Sequence, residues 1–554
     1  MPDHDFDQLH QLASDFWRWR AFHQPNSSDD LPRVERPRSW EPDWSAAAVA
    51  RQRHALAMFE ARWREIDVST WPVPQRVDYR LIGSALARVR WELDVLRSWE
   101  RNPRFYVYQS LGQLFEELLR NKPFDHDRSA EVVNCFRRVP GLLADGKANL
   151  AETAVRPFAA ATLEVLEDIG PRLRKVAHEL KPLLAGESAG RLAPGAEEAV
   201  TALESFRDWL RERLPAMTEE MAVGCDGYAW FLRHVALMPF TSGQLLAMGR
   251  QEWERSVACE AIARERAKGS PELPLFPDQA TQMAREEEDE KAIRRFLEEN
   301  DLLTVPARVR HYRNLPLPAY VEPLAGLGVV DDLTSPTRLD EYGIRYIPQP
   351  SPALGYFELS SARDPRPLIV HEGVPGHYFQ MSLAWAHEDP IRRHYYDSGP
   401  NEGIGFYAEE MLLEAGLFDS SPRTREIIYN FMRLRALRVE VDVRLALGAF
   451  SIDEATECLR ARAPMDYETA RAEAIFFASL PGQAITYQIG KLQIIRFLAD
   501  ARQAMGERFS LRAFHDYLWK NGNIPIALLR WEYLGLEDEV TSLDADQPDT
   551  TPGR

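Results

Sequence analysis

Cysteine is scarce in this 554-residue chain: there are four, Cys135, Cys225, Cys259 and Cys458, far apart and in no paired spacing. That excludes a disulfide-stapled scaffold and a zinc ribbon, and predicts reduced thiols. Positive charge is also short. Lys and Arg number 67 against 85 Asp and Glu, a net charge of −18, which repels a phosphate backbone and argues against nucleic acid as a partner. No apolar run reaches the ~18 residues a membrane span requires, so no membrane partner is expected. The opening MPDHDFDQLH is too polar for a secretory signal, and a cytoplasmic location is the expectation. Glycine is sparse at 30, while proline reaches 38. Those counts suit long helices with proline-punctuated connections better than a glycine-turned β protein.

What is present points the same way. Hydrophobic residues make up 45% of the chain and charged residues 27%, enough for a large core under a solvated surface. Apolar residues recur three and four apart across 80–120, 198–215 and 484–501, the last through Ile485, Ile489 and Leu492. In 423–447 a stripe of Phe431, Leu434, Val441 and Leu445 leaves Arg433, Arg435 and Arg444 off it. These patterns predict amphipathic helices. The fold class is therefore mostly α. Residues 343–360 predict two short strands, GIRYIPQP and LGYFELS, a small β element. Residues 23–45 read as a surface loop, 268–290 as a solvated excursion ending in the acidic run EEEDEK, and 541–554 as a disordered tail. No linker divides the helical mass, so residues 1–540 are expected to form a single domain.

Three histidines are followed by glutamate: His178, His371 and His387. His178 has no second histidine nearby, and His387 meets His394 only across Asp389-Pro390, so these two read as surface residues. His371 opens the segment His371-Glu372-Gly373-Val374-Pro375-Gly376-His377. Zinc hydrolases commonly place two histidines four apart on a helix with glutamate after the first. Six positions on an ideal helix leave the second ring about 120° from the first. The extra residues must be absorbed by a break, and Val374-Pro375-Gly376 supplies one, because proline removes a backbone donor and glycine accepts unusual dihedrals. The spacing predicts a helix distorted at Pro375 with both imidazoles turned to one ion.

Zinc then needs a third protein ligand and an open position. Glu402 stands at the start of a predicted helix, 25 residues after His377, and Glu409 lies seven further on as a reserve ligand. Glu372 is placed to take a proton from water whose pKa such an ion lowers towards ~7. Arg438 and Asp442, four apart, read as a helix ion pair.

At these residues the chain resembles the bacterial family catalogued as domain of unknown function 885, itself similar to helical zinc peptidases. The resemblance is carried by His371–His377 and by Asn401-Glu402-Gly403. It extends to the block from Ser479 through Pro481-Gly482-Gln483-Ala484 to Tyr487 and Gly490, and to Phe514-His515-Asp516 with Asn521-Gly522-Asn523-Ile524-Pro525. Weaker likeness covers nearly the whole chain. Two departures stand out: Tyr378 and Ala446 occupy positions where many members carry histidine. The resemblance implies a zincin-like helical domain of two halves around a deep cleft, with the β element at its rim. It implies one zinc ion, Tyr487 as donor to the oxyanion, and substrate contacts from His515 and from a strand around Tyr356. The expected activity is zinc-dependent hydrolysis of a peptide bond. The alternatives are hydrolysis of a small amide, ester or lactone, or a non-catalytic binding protein with a vestigial site.

Overall fold

The structure, a computed structural model, describes residues 2–27, 34–37 and 40–545. Helix accounts for 68% of the chain and strand for 3%, the mostly helical build that the periodicity predicts. The first half is helical, with Val73–Arg90, Pro103–Leu119, His126–Asn149 and Ser188–Arg213 among its longer helices. The second half carries Ser242–Arg266, Gln279–Glu299, Ser398–Glu414, Pro422–Ala446 and Thr486–Met505. One continuous apolar core draws on residues from Leu9 to Leu543. The stripe Phe431, Leu434, Val441 and Leu445 packs into a smaller cluster with Val155 and Leu459.

Three short strands, β1 (Tyr312–Pro316), β2 (Asp331–Asp332) and β3 (Gly343–Ile347), form one sheet in the order β1-β3-β2. β1 runs parallel to β3 with Asn314 opposite Arg345, and β2 antiparallel with Asp331 opposite Arg345. Both edges of β3 are thus taken, which leaves the second strand expected in 343–360 without a partner. Tyr356–Ser361 is a short helix instead, closed by a 2.8 Å bond from Leu359 N to Gly355 O.

The acidic run corrects another expectation. Residues 286–290 lie within the helix Gln279–Glu299, and Glu286, Asp289 and Glu290 are buried. Each has a partner one helical turn away, and Glu290 also meets His311 Nδ1 at 2.7 Å from beyond the helix. Arg285 donates to Asp289 at 2.9 Å, and Arg294 to Glu290 at 2.6 Å. The first residues of the presumed tail continue the helix Asp538–Asp544; 546–554 fall outside the described residues, as do 28–33, 38 and 39 of the 23–45 loop.

Two helices that build the site cross with almost no side chain between them. A Cβ on Gly403 would lie 2.8 Å from Gly490 Cα, and one on Gly490 would lie 2.3 Å from Gly399 O. Only hydrogen at both positions lets Ser398–Glu414 and Thr486–Met505 meet backbone to backbone. Beside that crossing, buried Lys491 pairs with Glu410 at 2.6 Å and Glu252 at 3.6 Å, locking in a third helix, Ser242–Arg266. A buried cation placed so is tolerated because it is doubly paired.

Candidate metal centre

The histidine segment is broken as its spacing demands. Ile369–Gly373 forms one π-helical turn, with Val374 N bonded to Ile369 O at 2.9 Å; such turns insert an extra residue and recur at functional sites. The Val374–Pro375 peptide is cis, and a new helix runs His377–Ala384. A Cβ on Gly376 would stand 1.7 Å from His371 O, so no other residue closes this turn. Trp519 Nε1 donates to Pro375 O at 2.7 Å and holds the break from outside.

The break brings the two imidazoles to a centroid separation of 4.7 Å, nearly perpendicular. Glu402 faces them from Ser398–Glu414. Its Oε2 lies 3.3 Å from His371 Nε2 and 3.2 Å from His377 Nε2. Gly405, one turn on, has both rings 3.2 Å from the place of a Cβ, which is how this helix comes so near. Asn401 Nδ2 donates to Gln380 Oε1 at 3.0 Å and ties the two ligand-bearing helices together. Burial would push the Glu402 carboxyl up, but His377 and His371 hold it well below the usual carboxylate range.

These spacings fit a metal. Two donors each ~2.1 Å from a tetrahedral ion stand about 3.4 Å apart, close to what is seen, whereas a charged N–H···O bond alone draws in to about 2.8 Å. All three ligand atoms lie within 4.8 Å of one another, and all three residues are buried. His371, His377 and Glu402 therefore form a donor set of the size and chemistry that a zinc-like ion takes.

Glu409, the reserve ligand, has a different place. It lies behind His371, accepting from Nδ1 at 2.7 Å, and also accepts from Arg435 NH2 at 3.0 Å. A neutral His371 held this way carries its proton on Nδ1 and has Nε2 free for an ion beside Glu402. Glu372 has Arg345 NH1 3.6 Å from its Oε1. Its side chain is 18% exposed, against 3% or less for the three ligand candidates. Tyr487 is buried with its ring parallel to His371, centroids 6.1 Å apart. Arg438 packs over the Tyr487 ring at 4.6 Å.

The other sequence candidates do not join the cluster. Tyr356 donates its hydroxyl to Asn430 Oδ1 and packs edge-on against Phe357. His515 is fully buried; Nδ1 donates to Leu302 O at 2.7 Å and Nε2 meets the Tyr407 hydroxyl at 2.9 Å. Burial lowers its pKa to about 4, which keeps it a neutral interior histidine. Tyr378 donates to Glu341 O at 3.2 Å beneath Gly343, and Ala446 is a core residue. Arg438 and Asp442 do not pair: Arg438 binds Glu473, while Asp442 accepts from Gly482 N, Ala484 N and the Tyr228 hydroxyl. Asp442 thereby fixes the turn that launches the Tyr487 helix. A cavity of about 660 Å³ lies apart from the cluster, lined by Trp17, Trp91, Trp99 and Tyr108; Met381, one turn past His377, is its link to the ligand helices.

The fold and this site define a mostly helical protein with a preformed His, His, Glu cluster. The chain belongs to the family described as "Bacterial protein of unknown function (DUF885)", whose model matches residues 37–532. It is similar to the structure of a candidate lipoprotein of unknown function from Shewanella oneidensis, at 16% identity and a TM-score of 0.67. That match covers 95% of this chain and 98% of the other. It is likewise similar to a candidate lipoprotein from Colwellia psychrerythraea, at 16% identity, a TM-score of 0.70, and coverage of 98% and 99%. These likenesses show the fold. No curated protein matches the chain.

Proposed function

We propose that this protein is a metal-dependent hydrolase of zincin-like build that cleaves a peptide bond. The observation that carries the reading is the convergence of His371 Nε2 and His377 Nε2 on one Glu402 oxygen, with His371 Nδ1 anchored by Glu409. His371, His377 and Glu402 would hold the ion, and two imidazoles with a carboxylate suit zinc. When bound, zinc supplies Lewis acidity and acidifies water. Glu372, the more exposed side chain, takes the proton of the attacking water and returns it to the leaving amine. Tyr487, stacked beside His371, donates to the oxyanion. Four free thiols support a reducing compartment such as the cytoplasm.

The test is metal content together with hydrolysis. Zinc-replete full-length protein is expected to carry one equivalent of zinc and to cleave short peptides, with cleavage lost on chelation and restored by zinc. Retention below roughly a tenth of an equivalent, or cleavage indifferent to chelation, overturns the reading. The same donor set would also serve an ester or lactone, and cleavage of those without peptides moves the reaction class.

A further inference from the structure

Arg435 is a cation buried with little polar company. It stands on Pro422–Ala446 with 4% of its side chain exposed, and neither Nε nor NH1 has a hydrogen-bond partner. Its Cζ lies 5.1 Å from the centre of the Phe406 ring, 5.3 Å from that of Phe431 and 5.8 Å from that of Tyr487, so the guanidinium is set among aromatic rings that attract a cation. Among the described residues Glu409 is the one carboxylate within ion-pair distance of it, through NH2 at 3.0 Å. The same NH2 lies 3.4 Å from His371 Nδ1. Glu409 is fully buried, and its other oxygen, Oε2, has no hydrogen-bond partner. Both of its donors, Arg435 and His371, therefore converge on Oε1.

We infer that Arg435 is a positioning residue for the metal centre: it acts through Glu409, pinning that carboxylate against His371 Nδ1 so that the imidazole is set before an ion arrives. A buried carboxylate with a single donor can turn about it, whereas a second, charged donor on the same oxygen fixes its place and its direction. Such a pair is a poor device for stability, since well-packed apolar residues often hold a fold as firmly as two buried charges. Its use lies in orientation. The ring held from behind by this chain is parallel to Tyr487, which the same guanidinium also approaches, so one side chain braces the candidate ligand and the candidate oxyanion donor together. The inference rests on His371, His377 and Glu402 being metal ligands, and is independent of the bond cleaved.

The experiment is a double-mutant cycle on the full-length protein, read as zinc affinity by competition with a chelator. Arg435→Met is expected to weaken zinc binding about tenfold in the wild-type background and less than about twofold in the Glu409→Gln background. Thermal melts of the zinc-free proteins accompany the cycle. If Arg435→Met alone is too unstable to load zinc, the Arg435→Met/Glu409→Gln variant should still fold and bind zinc as Glu409→Gln does, because neither charge is left buried and unpaired. Equal weakening in both backgrounds overturns the inference, because a residue that only supports the fold acts whether or not Glu409 is charged. Unchanged affinity in Arg435→Met overturns it too, as does a double variant that fails to fold. Wild-type protein that takes up no zinc sinks the metal reading and this inference with it. One equivalent bound without hydrolysis sinks the hydrolase reading alone, and the cycle then decides Arg435 separately.

Discussion

His371 donates through Nδ1 to Glu409 Oε1 at 2.7 Å, two turns along the helix from Glu402. One helix thus supplies both the carboxylate that faces the two imidazoles and the carboxylate that orients one of them from behind. Glu409→Gln is expected to weaken zinc binding by about 10–100-fold while leaving the helix content unchanged. Competition against a chelator of known affinity measures it; unchanged affinity would show that Glu409 has no hold on the imidazole.

Glu372→Gln should retain a full equivalent of zinc and lose turnover, because the amide keeps the shape but accepts no proton. Tyr487→Phe should also keep zinc and lower kcat by about 10²-fold with KM little changed, as expected for a donor used in the transition state. Steady-state kinetics on one peptide, with metal quantified in the same samples, checks both. Full activity in Glu372→Gln would remove the base.

The crossing of Gly403 and Gly490 makes the site depend on two missing side chains. Gly490→Val would drive carbon into Gly399 O, 2.3 Å from where a Cβ stands, and is expected to cost at least ~1–3 kcal/mol and to reduce zinc retention. Gly190→Ala is the control: nothing lies within 4 Å of that Cβ and the residue is helical, so stability should hold or rise by ~0.5–1 kcal/mol. Thermal melts with and without zinc separate the two.

The interior His515 gives a pH dependence of known sign. Its pKa is about 4 when folded against an ordinary 6.5, so between those values the unfolded chain binds the extra proton. Stability from keeping this ring neutral is complete above pH 6.5 and falls, by about 3 kcal/mol, as pH drops to 4. Asp78 and Asp442, both pushed up to about 6, act oppositely in part of this window, so the comparison is between variants. His515→Asn should flatten the acid side of the stability profile relative to wild type. Parallel urea profiles for the two proteins would refute the assignment.

Much of this was legible before any coordinates. Helical periodicity announces the helical mass, and the six-residue spacing implies the break at Pro375 beside which His371, His377 and Glu402 lie together. What escaped the sequence depended on partners distant along the chain. The run at 286–290 reads as solvated because its charges are clustered, while its burial comes with the approach of β1, where His311 and the Tyr312 amide meet Glu290. Tyr356 reads as strand from its aromatic neighbours, yet β3 has no free edge to receive it. Arg435 lies off the apolar stripe and would pass for a surface charge; its place behind Glu409 is visible only in three dimensions. Arg345 and Tyr312 sit in short strands with no motif, and only packing brings them to Glu372.

The indole of Trp519 on the Pro375 carbonyl joins the first ligand segment to a helix near the far end of the chain, Leu511–Lys520. A truncated protein ending before that helix would contain His371, His377 and Glu402 and yet lose the indole that props the turn at Pro375. The arrangement of the three side chains in this architecture therefore depends on a helix 144 residues further along the chain, which must be made before the turn is propped.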